Sequence, residues 1–300
     1  MRSTLILLTL VLPPVLFQAQ REVMTARDLM SLPVKASDYV LHYGHEASQY
    51  GELRLPSGRG PHPVVVLLHG GCFRKDFAGA TSIGAMADAL KREAIATWSI
   101  EYRRLSEPGA GWPGTYQDVA AGLDYLRQLA PRYRLDLGRV VILGHSAGGH
   151  LAHWAAARSR LEPGSALVAD NPLKPRGVIN LAGRMDMTVG IAEYEATCGD
   201  MPVLRMLLGG LPGQVPERYA QVSLPGLLPL GVRQVMIWGS RENFVPEQQA
   251  RDFLAAARRA GDDVELKLVP GAGHFETASP ESPAWPVVLG AIEALLGASQ

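Results

Sequence analysis

Ser146, His274 and Glu242 are the residues of this chain whose types and placement can carry out nucleophilic catalysis. A serine hydroxyl attacks a carbonyl at neutral pH only when a base takes its proton. The base in turn works best when a carboxylate fixes its tautomer and stabilises its protonated form. Ser146 stands in Gly144-His145-Ser146-Ala147-Gly148, after the apolar run 140–143 and before the helical run 149–157. That is strand, tight turn and helix with serine at the tip, the pattern of a nucleophile elbow. Glycines flank the serine because so sharp a turn leaves little room for side chains, and the helix N-terminus behind it favours developing negative charge.

The choice of base follows from position. Of the eight histidines, His42, His45 and His62 lie among early strands and turns. His150 and His153 belong to the helix behind the elbow, and His145 is expected to point away from the nucleophile. His274, in Gly271-Ala272-Gly273-His274-Phe275, directly follows a β-branched strand pattern at 264–269. It therefore falls at a strand's carboxyl end, as Ser146 does. Glu242, in the loop after the strand pattern 234–238, is the one carboxylate before the next helix. Asp186 also follows a strand at the correct edge and is the alternative acid. Asp262 and Asp263 precede their strand and fall at the wrong end.

A tetrahedral intermediate needs preorganised N–H donors. His69-Gly70-Gly71-Cys72 follows the apolar run 64–68. Gly71 and Cys72 are the expected donors there, Gly70 shapes the loop, and Ala147 offers the second N–H. Phe73, Arg74, Trp112 and Met185 could line a substrate pocket or simply pack.

The elements that must position these residues alternate strand and helix. The patterns at 39–43 and 50–55 read as an antiparallel strand pair. Strands at 64–68, 95–102, the run before Ser146, 177–181, 234–238 and 264–269 alternate with helices at 81–93, 115–129, 149–157, 246–260 and 285–296. Pro131 is expected just past the 115–129 helix, and residues 21–37 read as a variable lead-in. Such alternation implies an α/β fold, a mostly parallel sheet covered by helices on both faces, with functional loops at the strands' carboxyl ends. Between 183 and 230 the alternation fails. Prolines and glycines break short apolar segments, and a small cap-like insertion beside the site is expected.

Composition narrows the function further. Lysine plus arginine equals aspartate plus glutamate, 29 each, and no long basic run occurs, so a nucleic-acid partner is not expected. Arg2 followed by a mostly apolar run to Phe17 resembles a signal peptide, with residues 1–20 removed, 21–300 forming the folded domain and export following; an uncleaved N-terminal anchor is the alternative. The run is too short for a confident membrane span. The two cysteines, Cys72 and Cys198, are too few for a structural zinc site, and whether they pair is open.

His69-Gly70-Gly71, Glu101-Tyr102-Arg103, Gly144-His145-Ser146-Ala147-Gly148-Gly149, Val245-Pro246 and Gly273-His274-Phe275 together resemble the α/β-hydrolases of the hormone-sensitive-lipase and arylformamidase-like esterase group. The resemblance spans nearly all of the chain after the apolar leader. It implies an α/β-hydrolase fold and a serine hydrolase acting on small to medium carboxylic esters, with no metal or organic cofactor. In that group the acid is an aspartate; here the position is Glu242. The residue after His-Gly-Gly is Cys72, where the group often has glycine or an aromatic. Asp118 matches a position usually structural there. Aryl-formamide hydrolysis would use the same machinery, and a catalytically silent binding protein is the reading outside enzymes. The sequence leaves the oligomeric state open.

Overall fold

The computed structural model describes residues 22–297. The expected leader, residues 1–20, lies outside them. A short helix, α1 (Ala26–Met30), precedes an antiparallel pair, β1 (Tyr39–His42) and β2 (Tyr50–Arg54). Then follow β3 (His62–Leu68), α2 (Gly84–Arg92), β4 (Ala96–Ile100), α3 (Gly114–Asp124), α4 (Leu126–Tyr133), β5 (Leu135–His145) and α5 (Ala147–Ala157). After β6 (Gly177–Leu181) come three short helices, α6 (Ile191–Thr197), α7 (Val203–Leu208) and α8 (Pro216–Ala220). The chain closes with β7 (Arg233–Gly239), α9 (Glu247–Arg259), β8 (Val264–Val269) and α10 (Trp285–Leu296).

The strands form one eight-stranded sheet in the order β1-β2-β4-β3-β5-β6-β7-β8, parallel from β4 through β8. Period-two alternation distributes their side chains between two cores. Val64, Val66 and Leu68 of β3 face one side with α3, α4, α5, α7 and α9. Val65 and Leu67 face the other with α1, α2 and α10. Each fully buried aliphatic side chain contributes on the order of 2 kcal/mol, so the apolar strand runs are bound to both layers. Helix α5 lies against β3, β5 and β6, and every one of its residues is buried.

Two elements depart from the sequence pattern. The expected helix 115–129 is two helices meeting at Tyr125, and Pro131 lies inside the second rather than beyond it. A proline constrains the residue before it and withholds an N–H. The short α4 ends soon after, at Arg134 in the left-handed region (φ 56°). Strand β5 begins at Leu135, so Gly138 sits within a strand. The parallel register with β3 shifts between His62 and Val64, which lets the longer strand follow its neighbour.

Candidate active site

Ser146 joins β5 to α5 with φ 55° and ψ −121°, a conformation costly for a residue with a Cβ. The surroundings impose it. A Cβ on Gly148 would stand 2.1 Å from the Leu68 carbonyl oxygen, and one on Gly70 would stand 2.9 Å from that of His145. The elbow is therefore pressed against the end of β3 and the loop after it. Ser146 N–H donates to the Leu181 carbonyl at 2.8 Å, tying the turn to β6 as well.

His274 follows β8 and is buried (3 % exposed). Its Nδ1 lies 2.9 and 2.8 Å from the two Glu242 carboxylate oxygens. The extra methylene of glutamate lets the carboxylate fold back over its own loop. Oε1 also accepts from Phe244 N–H at 2.6 Å and Val245 N–H at 3.0 Å. The Phe244 ring stacks on His274, centroids 4.5 Å apart. The alternative acid, Asp186, is turned elsewhere: it accepts from Thr188 N–H and Oγ1 and from Ser223 Oγ.

Ser146, His274, Gly70, Gly71 and Cys72 line one cavity of about 560 Å³, mostly apolar in its walls. The loop carrying the last three is braced by the buried His69. Its Nε2 lies 2.9 Å from Glu101 Oε1, and its ring stacks on Tyr102. Burial works to raise the Glu101 carboxyl, but His69 and Arg104 outweigh it and hold it below the ordinary value. Cys72 and Phe73 both have positive φ, 54° and 59°. Cys72 is disulfide-bonded to Cys198, just past α6, and Arg74 donates to the Cys198 carbonyl at 2.8 Å. The open question of the cysteines thus resolves as a bond between the loop after β3 and the 183–230 segment. Asp118 holds Arg103 through two 2.8 Å bonds and takes no part in the cavity wall.

The structure moves other residues relative to the sequence reading. His145 does not stand apart from the site. It lines the cavity, its ring centroid is 4.7 Å from that of His274, and its Nε2 donates to the His274 carbonyl at 3.1 Å. Burial lowers it well below the usual histidine range, so it serves as a neutral donor. Phe73 packs edge-on to His150, Trp112 against Tyr116, and Met185 accepts from Asn180 within the core. None of the three is part of the cavity wall; each is held by the layer beneath. The wall instead includes Val23, Met24, Leu29 and Met30 from the segment expected to be a variable lead-in. Met24 N–H donates to Glu276 Oε1 at 2.6 Å, and the other Glu276 oxygen accepts from Gly273 N–H. One carboxylate two residues past His274 thus pins both the histidine loop and the N-terminal wall. No sequence pattern marks that contact, because its partners are about 250 positions apart.

The sheet order, the elbow at the end of β5 and the loops after β3, β7 and β8 define an α/β-hydrolase. The chain belongs to the BD-FAE family, whose model matches residues 52–256. It is 27 % identical over 226 residues to Esterase LipC of Mycobacterium tuberculosis (strain ATCC 25618 / H37Rv), covering 71 % of this chain and 53 % of that protein. It is 23 % identical over 244 residues to the probable isoprenylcysteine alpha-carbonyl methylesterase ICME of Oryza sativa subsp. japonica, covering 78 % and 57 %. The chain thus spans little more than half the length of these relatives. Among solved structures, a truncated carbohydrate esterase from gut microbiota superposes with a TM-score of 0.73 at 21 % identity, over 88 % of this chain and 97 % of that one. At that identity the likeness is one of fold.

Proposed function

We propose that the protein is a serine carboxylesterase acting on small to medium esters through an acyl-enzyme. The observation that carries this reading is the shared cavity in which Ser146, at a strained elbow, and His274, fixed by Glu242, stand beside the Gly70-Gly71-Cys72 loop. Ser146 Oγ attacks the acyl carbon while His274 takes its proton. The N–H groups of Gly71, Cys72 and Ala147 receive the developing oxyanion. His274 then protonates the leaving alcohol, and water repeats the sequence on the acyl-enzyme. Glu242 keeps the Nδ1 proton in place, which leaves Nε2 free to act as base. The esterase names of the relatives agree with this reading, and the mostly apolar walls suit a short acyl chain.

A fluorophosphonate probe tests it directly. Folded wild-type protein is expected to label at one mole per mole and to hydrolyse p-nitrophenyl butyrate; Ser146→Ala is expected to do neither. Labelling that persists in the alanine variant would remove Ser146 from its role. We also propose export to an oxidising compartment, supported by the apolar leader and the paired cysteines. Free thiols at both positions in protein recovered from its native compartment would overturn that.

A further inference from the structure

Beside the Ser146 cavity lies a second one of about 470 Å³, and the two share Thr197, Asn243 and Phe244. Arg184 forms part of its wall. This residue follows Gly183, where a Cβ would stand 2.5 Å from the Ser146 carbonyl oxygen, so its backbone is packed against the elbow. It is 2 % exposed, and among the described residues its Nε and Nη2 have no hydrogen-bond partner. The Tyr194 ring lies 5.0 Å from the guanidinium carbon, and its hydroxyl is a second buried group without a partner. Gln249 lines the same cavity. Its Oε1 accepts from Met185 N–H at 3.2 Å, which turns the amide's donor end to the other side.

A buried guanidinium with two unpartnered nitrogens is destabilising unless something accepts from it. The Tyr194 face offsets part of that. Arg184, Tyr194 and Gln249 are all donors, so the acceptor they suit is an anion. Of the carboxylates in the wall, Glu242 is committed to His274 and to its own loop, and Glu193 is exposed. Glu193 and Asp186 favour the charged guanidinium through space but, among the described residues, leave Nε and Nη2 without a hydrogen bond. Burial pushes the Tyr194 hydroxyl up to about 12, which keeps it a donor at neutral pH.

We propose that this cavity is a subsite for a carboxylate carried by the ester substrate, received by Arg184 with Tyr194 and Gln249. The proposal rests on the Ser146 esterase reading and narrows its substrate class to esters bearing an acidic group. The carboxylate could sit on the acyl chain or on the alcohol, and both placements present the same chemistry to Arg184.

Two pairs of esters separate them. Mono-p-nitrophenyl glutarate against p-nitrophenyl pentanoate reads the acyl side, and 4-acetoxybenzoate against 4-acetoxybenzamide reads the alcohol side. In at least one pair, wild-type kcat/KM is expected to favour the anionic member by about tenfold or more, as a charge-assisted bidentate contact provides. Arg184→Met should abolish that preference, and Arg184→Lys should keep part of it. If Arg184→Met does not fold, judged by loss of fluorophosphonate labelling, Tyr194→Phe carries the test and should reduce the preference several-fold. Hydrolysis of the neutral esters with no anionic preference in either pair overturns the subsite alone. So does a preference that survives both Arg184→Met and Tyr194→Phe. Absence of hydrolysis of all four esters, with no labelling of Ser146, overturns the esterase reading together with the subsite.

Discussion

Glu242 is the residue whose role the geometry sharpens most. Its carboxylate meets His274 Nδ1 with both oxygens, whereas Asp186 spends its acceptors on Thr188 and Ser223. Glu242→Gln places an amide against Nδ1 and withdraws the charge that stabilises the imidazolium. We expect kcat to fall by on the order of 10³–10⁴, while Asp186→Asn changes it by no more than about threefold. Steady-state kinetics on p-nitrophenyl butyrate decide it, and equal losses in the two variants would move the acid away from Glu242. The sequence could reach Ser146 and His274 because each lies in a glycine-flanked loop directly after a strand. It prefers Glu242 to Asp186 as the one carboxylate in its loop, although both follow parallel strands at the correct edge. What separates them is side-chain direction, which Ser223 and the Phe244 amide control. His145 also lies within the elbow, and its ring is placed by the His274 carbonyl, 129 positions away, a contact that no local pattern marks.

At the scale of elements, α5 is a helix buried along its whole length, and it carries two histidines into the core. His150 is satisfied as a neutral ring: Nδ1 donates to the Arg184 carbonyl and Nε2 accepts from the Tyr116 hydroxyl. His153 has no hydrogen-bond partner at either nitrogen among the described residues. Burial lowers His150 to about 4 and His153 to about 3. The unfolded chain binds those protons near pH 6.5. Below that pH the unfolded state holds more protons than the native one, so stability falls as pH drops from about 6.5 toward 4. Between pH 7 and pH 5 the loss is about 2 kcal/mol for each such histidine. His153→Leu removes one of them, so the difference in urea-unfolding free energy between those pH values should shrink by roughly that amount. An unchanged difference would mean that His153 titrates normally in the fold. The helical run directly after the elbow made α5 readable as a helix, and the continuous apolar run of β3 made its double-sided burial readable too. The N-terminal wall was not readable. Residues 23–30 have no long periodic run, and they are ordered by the Glu276 carboxylate and by Leu29 in the far core. A structure imposed by partners so distant in sequence leaves no local signature.

For the molecule as a whole, the bond between Cys72 and Cys198 joins the loop after β3 to the 183–230 segment. The two residues are 126 positions apart, which is why spacing alone could not decide between a bond and two buried thiols. Cys72 also occupies the loop proposed to supply N–H donors to the oxyanion, at a positive φ that is costly for a residue with a Cβ. The bond therefore has two separable consequences. By constraining the unfolded chain across so long a span it should stabilise the fold by about 2–5 kcal/mol. By holding Cys72 it should also keep the oxyanion donors in register, an effect on kcat more than on KM, since the oxyanion exists only in the transition state. Cys198→Ala tests both and leaves the loop's own residues intact. We expect a lower urea midpoint, and kcat on p-nitrophenyl butyrate reduced by on the order of tenfold at nearly constant KM. Treating the wild type with a phosphine reductant should reproduce the kcat loss, and the same treatment should leave Cys198→Ala where it was. A destabilised variant with full kcat would assign the disulfide to stability alone and leave the oxyanion loop to the His69–Glu101 contact. If instead both parameters move together, the 183–230 segment it anchors also shapes how substrate is held.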